Sequence, residues 1–132
     1  MWFKNLLIYR FTKPFTLTAD EVDEKLGENA FTPCNSQDPA SYGWTMPLGS
    51  QGSQYVHSAN GYIICAKKQE KILPAAVVNE VLADKLEEIK SQEDRRPGRK
   101  ERTDLKEEII FSLMPRAFTR SSRVFAYIAP AE

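Results

Sequence analysis

Two apolar stripes at helical spacing, separated by a Pro-Gly pair, constrain this chain more than any other feature. Val78, Leu82, Leu86 and Ile89 recur every three or four residues after Pro74, and Leu105, Ile109 and Leu113 repeat the pattern before Pro115. Between them Gln92-Glu93-Asp94-Arg95-Arg96-Pro97-Gly98-Arg99-Lys100 is a polar stretch in which Pro97-Gly98 marks a turn. Matched stripes across a short polar loop predict an antiparallel helical hairpin with the stripes facing each other. Pro74 suits the first turn of the first helix, where its missing N–H is not needed, and that helix fades near Ser91. Thr103 or Asp104 caps the second, with Glu107 placed to complete a capping box on Asp104, and Pro115 ends it.

The rest of the chain reads mostly as strand. Trp2 to Phe11 is dense in aromatic and branched residues, the pattern of a strand covered on both faces. Lys13-Pro14 breaks it, and Phe15-Thr16-Leu17 is a short second extended piece. Thr18-Ala19-Asp20-Glu21 is a capping box, so a helix runs to about Gly27 with Val22 and Leu26 on its buried face. From Phe31 to Ser53 prolines and glycines recur too often for a long element. That segment is a loop-rich connection with a short strand or two, pinned by Phe31, Tyr42 and Trp44. Tyr55–Ala59 and Tyr62–Ala66 flank Asn60-Gly61, the dipeptide suited to a type I′ hairpin turn with both central residues at positive φ. Arg123 to Ile128 is a final strand. The order predicts an α+β fold, an antiparallel sheet with a helical hairpin arm. Residues 1–73 form a central region, 74–114 the arm and 115–132 a strand returning to the centre.

At 132 residues the chain is long enough to bury a core. Eighteen basic residues balance eighteen acidic ones, so net charge does not announce a polyanion partner, and contact with nucleic acid must come from local patches. Apolar runs such as Leu6-Leu7-Ile8 are too short to span a bilayer, and the first residues lack the pattern of a secretory signal. The expectation is a cytoplasmic protein with no membrane partner. Cys34 and Cys65 have no metal or redox spacing and read as small apolar side chains in a reducing compartment.

No catalytic constellation stands out. His57, the single histidine, lies in a hairpin strand without partners at defined spacing. Gly49-Ser50-Gln51-Gly52-Ser53 is not a nucleophile elbow, and neither a phosphate-binding loop nor a dinucleotide fingerprint occurs. No catalytic residue, cofactor, metal or small-molecule substrate is expected. Two basic groups remain. Arg95, Arg96, Arg99, Lys100 and Arg102 cluster at the hairpin loop, where they are either a solvated turn or outward-reaching contacts for phosphates. Arg116, Arg120 and Arg123 surround the joint between helix and strand, where part of their role is compensation of a helix dipole. Lys67, Lys68 and Lys71 extend one surface or the other. Phe118, among polar residues beyond Pro115, is either a core anchor for the last strand or an exposed aromatic that docks in a partner.

Several short segments, in order, resemble the RdgC family of recombination-associated proteins. They are Trp2-Phe3-Lys4-Asn5-Leu6, Ala30-Phe31-Thr32-Pro33-Cys34, Ser36-Gln37-Asp38, Gly43-Trp44 and Ala59-Asn60-Gly61. Ile64-Cys65-Ala66, Glu70-Lys71-Ile72-Leu73-Pro74 and Leu113-Met114-Pro115-Arg116-Ala117-Phe118 complete the set. The resemblance implies a non-enzymatic, nucleoid-associated protein that binds mainly double-stranded DNA with little sequence preference. It also implies competition with the strand-exchange recombinase for DNA, and a bearing on replication. The family forms a ring-shaped homodimer with a basic hole, in which the helices from Pro74 to Met114 correspond to a tip where two subunits meet. Phe118 falls at the aromatic position of that gate. Family members are considerably longer, so the expectation is a fragment or a short relative whose last strand has an exposed edge. Outside this family, the residues fit a protein–protein adaptor that docks through its helical arm without affinity for DNA, or less well a small enzyme built on His57.

Overall fold

The computed structural model describes residues 5–130. Its elements are α1 (Ala19–Gly27), β1 (Ala40–Thr45), β2 (Val56–Ser58), β3 (Tyr62–Ile72), α2 (Ala75–Glu93), α3 (Arg99–Leu113) and β4 (Phe118–Ile128). Single 3-10 turns occupy Gly49–Gln51 and Met114–Arg116. Each of the other strands pairs with β3 in one four-stranded antiparallel sheet, giving the expected α+β class. The chain divides into two compact units. One holds residues up to Ala30, Trp44–Cys65 and residues from Phe125 on; the other holds Phe31–Gly43 and Ala66–Val124.

The first unit is built around Val22, Val56 and Ile64, with Phe15, Leu17, Leu26, Trp44 and Ile128 packed against them. The capping box holds as the sequence predicts. Thr18 Oγ1 accepts from the Glu21 amide at 3.2 Å, and Glu21 accepts from the Thr18 amide at 3.2 Å. That fixes the start of α1 and so the depth of Val22. Asp23 on the same helix accepts from the Tyr55 amide, tying α1 to the lead-in of β2. Trp44 belongs to this core, whereas Tyr42 lies largely in solvent.

Two strand expectations change. β2 and β3 pair as Val56↔Ile64, His57↔Ile63 and Ser58↔Tyr62, which leaves Ala59-Asn60-Gly61 as a three-residue loop. Only Asn60 has positive φ, at 58°, so the turn is not type I′. The extra loop residue leaves a single left-handed position, and Asn tolerates it. Of the doubly covered strand expected over Trp2–Phe11, Trp2 to Lys4 lie outside the described residues, and Asn5–Phe11 form no regular element. A strand needs a neighbour to take its backbone N–H and C=O groups, and among the described residues none pairs with this segment.

The second unit carries the helical hairpin. α2 and α3 are separate helices in contact, and the buried residue of each, Val78 and Ile109, lies on its expected stripe. α3 starts at Arg99, before the expected caps, with Gly98 as its N-cap and no side-chain cap. Asp94 ends α2 in the left-handed conformation at φ 50°, and Pro97 is buried, so the loop closes within a few residues. α3 can then begin at once, and Thr103 instead donates from its hydroxyl to the Arg99 carbonyl one turn back. β4 starts at Phe118, five residues earlier than its apolar run indicates, directly after the turn at Met114–Arg116.

Candidate nucleic-acid interface

The early start of α3 decides where its cations sit. Arg99, Lys100 and Arg102 fall in the first turn, at the end where the helix dipole is positive, and all three are exposed. Cations there are locally unfavourable for the helix, and Glu101 is the only acidic residue in that turn. Backbone N–H groups at a helix start, with exposed basic side chains around them, suit anions such as phosphate.

The five basic residues of the loop are not equivalent. Arg95 is held on both sides: its Nη1 donates to Glu101 at 2.8 Å and its Nε to Glu93 at 3.3 Å. The hydrogen bond from Arg95 holds the Glu101 carboxyl below its ordinary range, and Glu101 and Glu93 hold the guanidinium more firmly protonated. Arg96, Arg99, Lys100 and Arg102 make no ion pair among the described residues. They are the cations this end of the hairpin presents outward.

The second basic group does not form one patch. Arg116 is exposed on the 3-10 turn, and Arg120 and Arg123 lie on β4 an odd number of residues apart, hence on opposite faces of the strand. Arg120 is engaged with Glu70 on β3 at 3.0 Å, and Glu70 also meets Lys68 at 3.4 Å. Arg120 first and Lys68 second hold the Glu70 carboxyl below its ordinary range.

β3 runs on past Ala66, so Lys67, Lys68 and Lys71 lie within the hairpin strand rather than after it, and they are likewise committed. Lys71 donates to the backbone carbonyls of Ser36 and Met114, both at 3.0 Å, closing the 31–43 segment onto the end of α3. Lys67 lies 4.7 Å from the Phe31 ring centre, and Lys68 lies 5.5 Å from that of Tyr42. Lys68 and Lys71 therefore offer little to phosphates. The neutralising partners Glu70, Glu93 and Glu101 are what residue-type reasoning missed. Lys68-x-Glu70 is legible as neighbours on one strand face, but the reach of Arg95 across the loop to Glu101 has no periodic signal.

On its outward side α3 carries Asp104, Glu107 and Glu108 around an exposed Phe111, lining an open depression. These carboxylates would repel a phosphate backbone, so the arm is electrostatically two-ended, basic at its loop and acidic along this face. Phe118 is 85% exposed at the start of β4 and does not anchor the core of this chain. His57 is half-buried in β2. Among the described residues no group of three or more histidine, cysteine, aspartate or glutamate side chains is placed to hold a metal ion. No described helix is long and apolar enough to cross a membrane.

The family model described as "Putative exonuclease, RdgC" matches residues 1–132. The "Recombination-associated protein RdgC" of Aeromonas hydrophila is 54% identical over the whole chain, which covers 44% of that protein. The proteins of the same name from Tolumonas auensis and Yersinia pestis are 48% and 44% identical, over 100% and 97% of the chain and 44% and 43% of their own lengths. The chain thus spans less than half of these relatives and corresponds to their N-terminal portion. Matched along its full length by the family model, the chain belongs to the RdgC family.

Proposed function

We propose that this chain contributes a DNA-binding surface that recognises duplex DNA through its phosphates, without sequence preference. In the whole protein that surface limits the access of a recombinase to DNA. The observation that carries the reading is the cluster of Arg96, Arg99, Lys100 and Arg102, exposed and without ion-pair partners among the described residues, at one end of a rigid helical hairpin. Phosphate contacts from such a cluster fix position but carry no sequence information. The recombination-associated role named for the relatives agrees with it. Arg116 and Arg123 add cations from the other end of α3 and from β4. Phe118 serves association with a second copy, and the protein works in the cytoplasm on the nucleoid.

A salt titration of binding to unrelated duplexes tests this. Affinity should fall with salt by about 0.9 in the log–log slope for each phosphate neutralised, from the non-specific range of roughly 10⁻⁴ to 10⁻⁶ M. Replacing Arg96, Arg99, Lys100 and Arg102 by Glu should flatten the slope equally on every duplex. The word exonuclease in the family description supplies a second reading, a nuclease. Shortening of end-labelled duplex by the chain with magnesium or manganese ions would favour it, and intact duplex is expected. Absence of DNA binding at low salt would favour an adaptor that docks through the arm.

A further inference from the structure

The loop between β2 and β3 holds a reactive pair that the basic surface does not use. Asn5, Asn29, Asn35, Asn60 and Asn79 are the asparagines of the chain, and Asn60 alone precedes a glycine. A side-chain amide carbon beside a glycine N–H is open to attack by that backbone nitrogen, because no Cβ crowds the approach. Asparagine is among the thermally labile residues, and Asn60 is exposed, so water reaches the pair. Geometry then sets how readily the attack happens. It needs the peptide unit between Asn60 and Gly61 to turn until its nitrogen faces the Asn60 Cγ. That unit is planar, so its carbonyl and its N–H turn together. Its carbonyl is the group that accepts from the Tyr127 hydroxyl at 2.9 Å. The Gly61 carbonyl accepts from the Ala59 amide, also at 2.9 Å, and the Ile128 carbonyl closes on Gly61. The end of β4 thus holds the reacting unit in place.

We propose that Asn60 is a modification site, converted to aspartate or isoaspartate through Gly61, at a rate that the Tyr127 contact governs. The Gly61 nitrogen bonds to the Asn60 Cγ, its proton passes to the amide group that leaves as ammonia, and a cyclic imide forms. Water then opens the imide at either carbonyl, and nothing is oxidised or reduced. Opening at the former Asn60 carbonyl routes the chain through the side chain, one bond longer, and leaves that carbonyl as a free carboxylate. In this product the acceptor of Tyr127 is displaced from a three-residue loop that has no slack, and the end of β4 loosens. The site turns a passing opening of that contact into a permanent one. The inference does not depend on DNA binding.

Peptide mass spectrometry of the chain, held at neutral pH below its melting temperature, follows the conversion at each asparagine. Asn60 should convert fastest, yet more slowly than in the chain unfolded in urea. Tyr127→Phe should speed the reaction in the folded chain about two- to tenfold, the opening that one net hydrogen bond restrains. Thr18→Ala, which loses a helix cap of similar worth in the same unit, should leave the rate at Asn60 unchanged. The isoaspartyl form, separated by ion exchange, should exchange its Tyr127 and Ile128 amides faster than the parent. Faster conversion of Asn35 than of Asn60 in the folded chain would overturn the proposal, as would no conversion at Asn60 in either folded protein. Equal rates in the parent and Tyr127→Phe would overturn it too. So would equal acceleration by Thr18→Ala, because global unfolding would then set the rate. Unchanged exchange in the isoaspartyl form would overturn the loosening of β4.

Discussion

The Tyr127 hydroxyl donates to the Asn60 carbonyl at 2.9 Å, and the same hydroxyl would stand 2.6 Å from a Cβ built on Gly61. Gly61 does not have positive φ. It is glycine because the end of β4 lies directly on the hairpin loop, with the Ile128 carbonyl also 2.6 Å from that Cβ position. A left-handed turn would make Gly61 a local requirement; close approach makes it a long-range one.

Gly61→Ala should therefore destabilise the fold by about 1–3 kcal/mol, the usual cost of overfilling a tight contact. Tyr127→Phe alone should cost about 1 kcal/mol for the lost hydrogen bond. Combining them should not restore stability, because the Ile128 carbonyl still opposes the added methyl. Thermal unfolding of the three variants checks this, and recovery in the double variant would show that the hydroxyl alone sets the constraint.

Arg95 and Arg99 are four residues apart, but only one of them is held by carboxylates. Arg99→Ala should weaken binding to duplex DNA more than Arg95→Ala does. Glu101→Gln should strengthen binding, because it frees the Arg95 guanidinium and removes a negative charge beside the cluster. A rise of about two- to fivefold at low ionic strength, shrinking as salt is added, is the scale for one exposed charge. Fluorescence anisotropy with a labelled duplex at two salt concentrations measures it.

Where the signal is periodic, the sequence predicts well. Thr18 with Glu21, and Val78 with Ile109, lie where three- and four-residue spacings put them, since those patterns report contacts within an element. Strand pairing is less legible, because period-2 patterning says that a residue is covered but not by what. Asn5–Phe11 carries the composition of a buried strand, and among the described residues no strand pairs with it. At the basic surface, counting Arg and Lys finds the residues but not their availability. Arg120 sits fifty residues from Glu70, and Lys71 is taken up by the backbone carbonyls of Ser36 and Met114, neither of which a local pattern can show.

Glu70 gives a prediction in pH. Its carboxyl is held low by the hydrogen bond from Arg120 and then by Lys68, so its pKa is lower in the folded state than in the unfolded chain. A depressed carboxylate contributes stability above the unfolded value, about 4.3, and that contribution is lost as pH falls through the folded value. A carbon-detected NMR titration should place the Glu70 midpoint below the ordinary glutamate value. Arg120→Ala should move it upward, and Lys68→Ala should move it less. If neither variant moves the midpoint, the Glu70–Arg120 pair is not maintained in solution.

Phe118 offers a test that distinguishes chain stability from association. At 85% exposure on the first residue of β4 it has little to lose within one chain, so Phe118→Ala should leave the melting temperature within about 2 °C, as for ordinary surface positions. An aromatic that anchors an interface typically costs on the order of 2 kcal/mol or more when truncated, about a thirtyfold loss in association. Sedimentation of the chain and of a full-length relative, each with and without the substitution, reads that loss directly. Unchanged self-association in the full-length protein would make Phe118 a solvent-facing strand residue. A melting temperature that collapses would instead place it in a contact within the chain, contrary to its exposure.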